Sequence, residues 1–280
     1  MTNTKTYGTY KYALNILFLV FTLSVAQKSV AQQHEFGVMA GGMGFVGDVG
    51  ETKGFTSLSN LKSSWGIVYK FNVDDYIALR ASFTRGSIIA DDIDAEETFK
   101  QQRGLKFESK ITEFSAIAEY NFFRPRRGQE DRHHTPYLFA GFSSFTFNPQ
   151  ATLNGVVYDL QELGTEGQVF NGKDNRYSLT EWAIPFGMGY KANLGSKWRI
   201  AAEFNIRKTF TDYLDDASTN YASKTSVILN SGSAAGYFSD PTNNGETGRT
   251  RASSNNNDWF YTTSFSLTYV IQRPKLRCEN

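Results

Sequence analysis

Cysteine, histidine and long apolar runs are scarce in this chain, and each scarcity excludes something. A single cysteine, Cys278, cannot build a disulfide framework, and it reads as an exposed residue of the tail. Three histidines, His34, His133 and His134, leave a serine or a water with few of its commonest activating bases. No catalytic residue is therefore assigned and no enzyme is expected. A net charge of +1 with no basic stripe and no RNA-binding signature argues against nucleic acid as a partner. Nothing in the chain points to a cofactor.

The one continuous apolar run lies at the start, in Ala13 to Ala26 around Ile16-Leu17-Phe18-Leu19-Val20-Phe21. Lys5 and Lys11 precede it, and Ser29-Val30-Ala31 follows. It is shorter than the ~20 residues a spanning helix needs. Basic start, apolar middle and small-x-small end read as a signal peptide over 1–31, leaving a mature region of 32–280. No cysteine follows the apolar segment, so a lipoprotein anchor is not expected.

Alternation is abundant. Trp65, Ile67, Tyr69, Phe71 and Val73 share one face of a stretch whose other face carries Gly66, Val68, Lys70 and Asn72. Trp198, Ile200, Ala202, Phe204 and Ile206 alternate with Arg199, Ala201, Glu203, Asn205 and Arg207. A greasy face beside a charged one fits a strand between lipid and a wet interior. The mean hydropathy of −0.41 looks soluble, but a barrel shows lipid only every second strand residue. Aromatic residues reach 15%, as interfacial girdles require.

Eight such strands are expected, near 34–46, 64–74, 76–87, 106–123, 135–147, 179–192, 197–211 and 258–272. Their connections alternate long and short. The short ones are Asn72-Val73-Asp74-Asp75, Arg124 to His134 and Asn193-Leu194-Gly195-Ser196. The long ones cover 47–63, 88–105, 148–178 and 212–257. The fold expected is all-β: an eight-stranded antiparallel transmembrane outer-membrane barrel with four long extracellular loops and short periplasmic turns. Pro185 on strand six should cost a ladder bond and produce a bulge or kink. The loop 212–257, rich in Ser, Asn and Gly, is expected to be mobile.

The register aims Lys70, Arg80, Glu113, Glu119, Glu181, Lys191, Glu203 and Arg207 into a lumen that side chains can fill. Opposite charges there should pair and plug it. The acidic run Asp91 to Glu97 lacks the glycine and spacing of a helix-loop-helix calcium loop and reads as solvated. Thr211, Asp212, Tyr213, Asp215 and Asp216 form a second acidic stretch, read as a packed, ordered turn because Tyr213 and Leu214 interrupt the charges. No metal site is assigned. Arg124, Arg126, Arg127, Arg132, His133 and His134 make the most basic stretch, which the topology sets in the periplasm as a candidate contact surface.

Several stretches carry a resemblance: Asn148-Pro149-Gln150-Ala151, Gly164-Thr165-Glu166-Gly167-Gln168, Ile184-Pro185-Phe186-Gly187-Met188-Gly189 and, above all, Arg207 through Ser218 with its Thr-Asp-Tyr-Leu-Asp-Asp run. Gly47-Asp48 and Pro136 to Gly141 agree with them. Together they resemble a PorG-like family of Bacteroidetes outer-membrane barrels associated with the type IX secretion system. The resemblance implies residence in the outer membrane of a Gram-negative cell and contact with periplasmic secretion-ring proteins. It carries over no catalytic residue. The function expected is a non-enzymatic membrane anchor or scaffold embedded in outer-membrane lipid. A surface adhesion or recognition barrel acting through its long loops is the alternative.

Overall fold

The computed structural model describes residues 33–51, 54–56, 60–123, 134–170, 173–254 and 256–271. The expected signal peptide, the basic residues Arg124, Arg126, Arg127, Arg132 and His133, and Cys278 lie outside them.

In chain order the strands are β1 (Gln33–Val46), β2 (Lys62–Asn72), β3 (Ile77–Asp91), β4 (Lys106–Asn121), β5 (His134–Thr146), β6 (Pro149–Leu153), β7 (Val156–Asp159), β8 (Val169–Phe170), β9 (Lys173–Asp174), β10 (Thr180–Leu194), β11 (Trp198–Thr209) and β12 (Trp259–Ile271). Eight of them, β1 to β5 and β10 to β12, pair antiparallel with their neighbours in sequence. The β1–β12 ladder closes the ring, running from His34 opposite Ile271 to Val46 opposite Trp259. Closure leaves no free edge in the wall, which a sheet in hydrocarbon requires.

Side chains sort by parity. Phe36, Ile67, Phe114, Phe142, Trp182, Met188 and Phe265 point outward and are more than half exposed, which in water would be a large cost. Their neighbours in sequence point inward and are buried or half-buried. Tyr76 stacks on Tyr120 near the short-turn end, where Trp198 also meets Tyr269, while Trp65, Trp182 and Trp259 ring the other end. An apolar belt between two aromatic girdles is the surface of a membrane-spanning barrel.

Local chemistry sets the turns. Asp74 Oδ1 accepts from the backbone N–H groups of Tyr76 and Ile77, both at 2.7 Å, closing β2 to β3. The proline ring of Pro185 removes a donor, and the β5–β10 ladder is interrupted at Ile184 and Pro185 before resuming at Phe186 opposite Ala140.

The long connections differ from their expectation. β3 continues to Asp91 because Ile88 and Ala90 are still core residues. Asn154 and Gly155, both at positive φ, turn β6 into β7, and β6 adds onto β4 above the barrel rim. The described residues of the loop 212–257 are folded, with secondary structure and a buried core of their own. It holds a helix, Lys224–Ser239, kinked at Gly232, and it buries Leu214, Ala217, Val227, Phe238 and Ala252. Composition misleads here because a few apolar anchors outweigh the polar residues between them.

Candidate functional site

The lumen is filled in layers. At the short-turn end Glu35, fully buried, pairs with Arg199 and accepts from Asn72 Nδ2 at 2.7 Å and Thr268 Oγ1 at 3.0 Å. The next layer is a knot of five charges. Glu119 contacts Lys70 at 2.9 Å, Lys191 at 3.0 Å and Arg80 at 3.1 Å. Glu203 contacts Arg80 at 2.6 Å and accepts from the Tyr137 hydroxyl. Lys191 lies 4.5 Å from the Tyr137 ring centre, and Arg80 lies 4.7 Å from that of Phe139. Further out, Arg207 grips Glu113 at 3.0 Å and reaches the Asn205 carbonyl at 3.1 Å.

Seven of the eight predicted lumen residues, Lys70, Arg80, Glu113, Glu119, Lys191, Glu203 and Arg207, are buried in these layers. Glu181 is not brought into them. It stands on the inward parity at the outer rim of β10, half-buried, opposite Phe145 and four residues beyond Pro185, the position opposite Arg207. Parity places a side chain on a face but not at a height, so the alternation alone does not separate Glu181 from the others. Glu35 and Tyr137 belong to the network without having been expected there, and so does Arg199, which the alternation sets on the charged face but which is not among the expected lumen charges. Their signal was available, since each occupies the inward parity of its strand.

Above the ion pairs lies a dry layer of Met43, Phe107, Ile111, Phe145 and Phe260, each almost fully buried. Above that, the four long connections are woven into a cap by two arginines. Arg103 holds Asp92 through two nitrogens, at 2.8 and 2.9 Å, and donates to the carbonyls of Asp48 at 2.8 Å and Arg251 at 2.6 Å. Arg251 donates to Glu166 at 2.8 Å and the Asp216 carbonyl at 2.7 Å. Glu166 in turn accepts from Ser218 and Thr219.

The Thr211–Asp216 run forms the floor of this cap. Tyr213 stacks on Tyr177 with ring centres 4.4 Å apart. Asp216, at φ +61, accepts from the Tyr177 hydroxyl at 2.7 Å and from Thr165. Asp215 accepts from Val49 and Ala217, and Asp258 accepts from Leu214 at 2.9 Å. The other Asp258 oxygen and both Asp212 oxygens accept no well-aligned hydrogen bond; the Ser218 hydroxyl is the donor beside Asp212. Burial pushes the Asp212 carboxyl up to about 7, with Asp48 and Glu166 adding repulsion. Burial also lifts Asp216 to about 6 against the pull of Arg251, and it holds Asp215 and Asp258 well above the carboxylate range. Among the described residues no three His, Cys, Asp or Glu side chains are arranged to hold a metal ion.

The acidic run Asp91 to Glu97 is not simply solvated. Asp92 is fully buried on Arg103, and Asp91 pairs with Lys106 at 2.8 Å. Of the basic periplasmic candidates, His134 is described. It stacks on Tyr190 with ring centres 5.4 Å apart and shares a hydrogen bond with its hydroxyl. Arg124, Arg126, Arg127, Arg132 and His133 lie outside the described residues.

A closed antiparallel wall, a lipid-facing apolar belt and a lumen plugged by side chains define an eight-stranded transmembrane β-barrel of the outer-membrane type. The sequence profile described as "Domain of unknown function (DUF6089)" matches residues 14–239, and the chain belongs to that family. No curated protein matches its sequence. Among solved structures it is similar to Ail, the attachment invasion locus protein of Yersinia pestis, in complex with the heparin analogue sucrose octasulfate, at 9% identity over 86% of this chain and 100% of that one, with a TM-score of 0.41. It is similar to OprG of Pseudomonas aeruginosa at 10% identity, 87% and 97% coverage and a TM-score of 0.40. Neisserial surface protein A gives 11% identity, 85% and 96% coverage and a TM-score of 0.39.

Proposed function

We propose that this protein is a non-catalytic anchor of the outer membrane that ties periplasmic partners of a type IX-like secretion machinery to the bilayer. One observation carries the reading. The lumen is obstructed three times over, by the Glu119–Glu203 knot, by the aromatic layer around Phe145 and Phe260, and by the cap. Among the described residues side chains fill the interior at these three levels, which favours the two ends and the outer wall as the working surfaces. The likeness of the Arg207–Ser218 run to PorG-like barrels supplies the secretion context. The basic turn Arg124 to His134 is the candidate contact surface, through its charge. Deletion of the gene is expected to abolish export of secreted cargo, and intact export removes the secretion role. Charge reversal at Arg126, Arg127 and Arg132 is expected to release co-purifying periplasmic proteins, and unchanged recovery removes the contact surface.

A second reading is favoured by a different observation. The cap presents Ile93, Phe99 and Leu229 to solvent, each more than half exposed. Apolar side chains held out on an ordered scaffold suit recognition of another surface. Replacing all three by serine is expected to leave the barrel folded and, on this reading, to abolish surface binding by intact cells.

A further inference from the structure

Arg85 on β3 and Lys110 on β4 point outward near the long-loop end, and both are exposed. Arg85 is opposite Thr112, and Ser87 is opposite Lys110, so the two cations are diagonal neighbours on adjacent strands. That diagonal spans roughly 7–8 Å between backbones, a distance two long basic side chains can close around one phosphate. Asp91 is held by Lys106 at 2.8 Å, and the exposed Glu108 next to Lys110 on this face offsets one of the two charges, which leaves the pair net positive.

Directly inward along the membrane the register sets Phe83 opposite Phe114 and then Ala81 opposite Ala116, with Phe142 beside Ala116. Each such step is about 6.6 Å along the strand. The alanines form the floor, and Phe83, Phe114, Phe142 and Trp182 the walls, of an apolar groove of about 790 Å³ on the lipid side. A second copy of the chain is a poor occupant. A two-fold contact here would set Arg85 and Lys110 against their own images. An acyl chain in the groove with an anionic group above it satisfies both halves of the surface.

We propose that this face of the wall holds one lipid of the outer leaflet, a phosphorylated glycolipid. Its phosphate lies between Arg85 and Lys110, and one acyl chain lies along Ala81 and Ala116. The proposal rests on residence in the outer membrane and is independent of any role in secretion. The test is native mass spectrometry of the refolded full-length barrel in neutral detergent, with diphosphoryl lipid A added as the probe. Wild type is expected to retain it at least tenfold better than the double variant Arg85→Glu, Lys110→Glu. Ala81→Phe with Ala116→Phe fills the groove and is expected to lose it equally. Lys208→Glu, an exposed outward cation on β11, is expected to retain it. Folding of every variant is checked by heat-modifiable gel migration, since all four groove and rim positions lie outside the lumen. Wild-type retention by either double variant overturns the site. Equal retention of dephosphorylated lipid A, or of phosphatidylglycerol, overturns the assignment of the occupant.

Discussion

Single residues in this barrel act through the groups they leave behind. Glu119 is shared by Lys70, Arg80 and Lys191. Glu119→Ala removes the ion-pair partner of buried Lys191 and the nearer partner of Lys70, while Arg80 keeps Glu203 at 2.6 Å, and loss of a buried partner costs about 3–5 kcal/mol. The expected readout is a lowered urea midpoint for unfolding from lipid vesicles, with the slope unchanged. Gly189 offers a complementary case. It sits opposite Tyr137, and a Cβ there would lie 2.5 Å from the ring. Gly189→Val is expected to cost about 1–3 kcal/mol by overpacking and to break the Tyr137–Glu203 hydrogen bond, visible as altered tyrosine absorption. Both residues were readable as inward by parity. Their partners were not, because parity carries no information about which strand comes to lie next to which.

Elements differ in how their order arises. The wall strands are held by ladders and by lipid, whereas the cap is held by a few arginines and by protons. A carboxyl in the unfolded chain titrates near ~4. In the cap Asp212 titrates at about 7 and Asp216 at about 6, with Asp215 and Asp258 also raised. Raised values in the folded state mean that the native cap binds these protons more tightly than the opened one. The groups carry no penalty below pH ~4, and they weaken the cap progressively as pH rises from ~4 through ~7. Limited proteolysis of 212–257 is expected to be faster at pH 8 than at pH 5. Asp258→Asn is expected to slow it at pH 8 and flatten the difference. Arg251→Met should do the opposite at both pH values, because Glu166 would remain buried without its cation. None of this followed from the loop's composition. Glu166, Asp92, Arg103 and Arg251 lie in segments without periodicity, and nothing local marks them as partners.

At the scale of the whole molecule the question is what crosses it. Ion pairs, rings and cap follow one another along the axis, so planar bilayers containing the protein are expected to show no stepwise current. Opening the knot with Glu119→Ala and Glu203→Ala together is expected to leave conductance near the lipid baseline, since the layer of Met43, Phe107, Phe145 and Phe260 stays closed. A current in either case removes the anchoring argument, which depends on a sealed interior.

Sequence alone determined that this is a closed, lipid-facing barrel and which side chains look inward. The two-residue period is a property of each strand by itself, and the alternating long and short connections set the topology. Tertiary structure decided which charges meet and at what height, that Glu181 stands apart from the knot, and that four polar loops close into one ordered cap. Those outcomes depend on strand stagger and on contacts between distant segments, such as Asp48 with Ser253, 205 residues apart, and no local pattern encodes such distances.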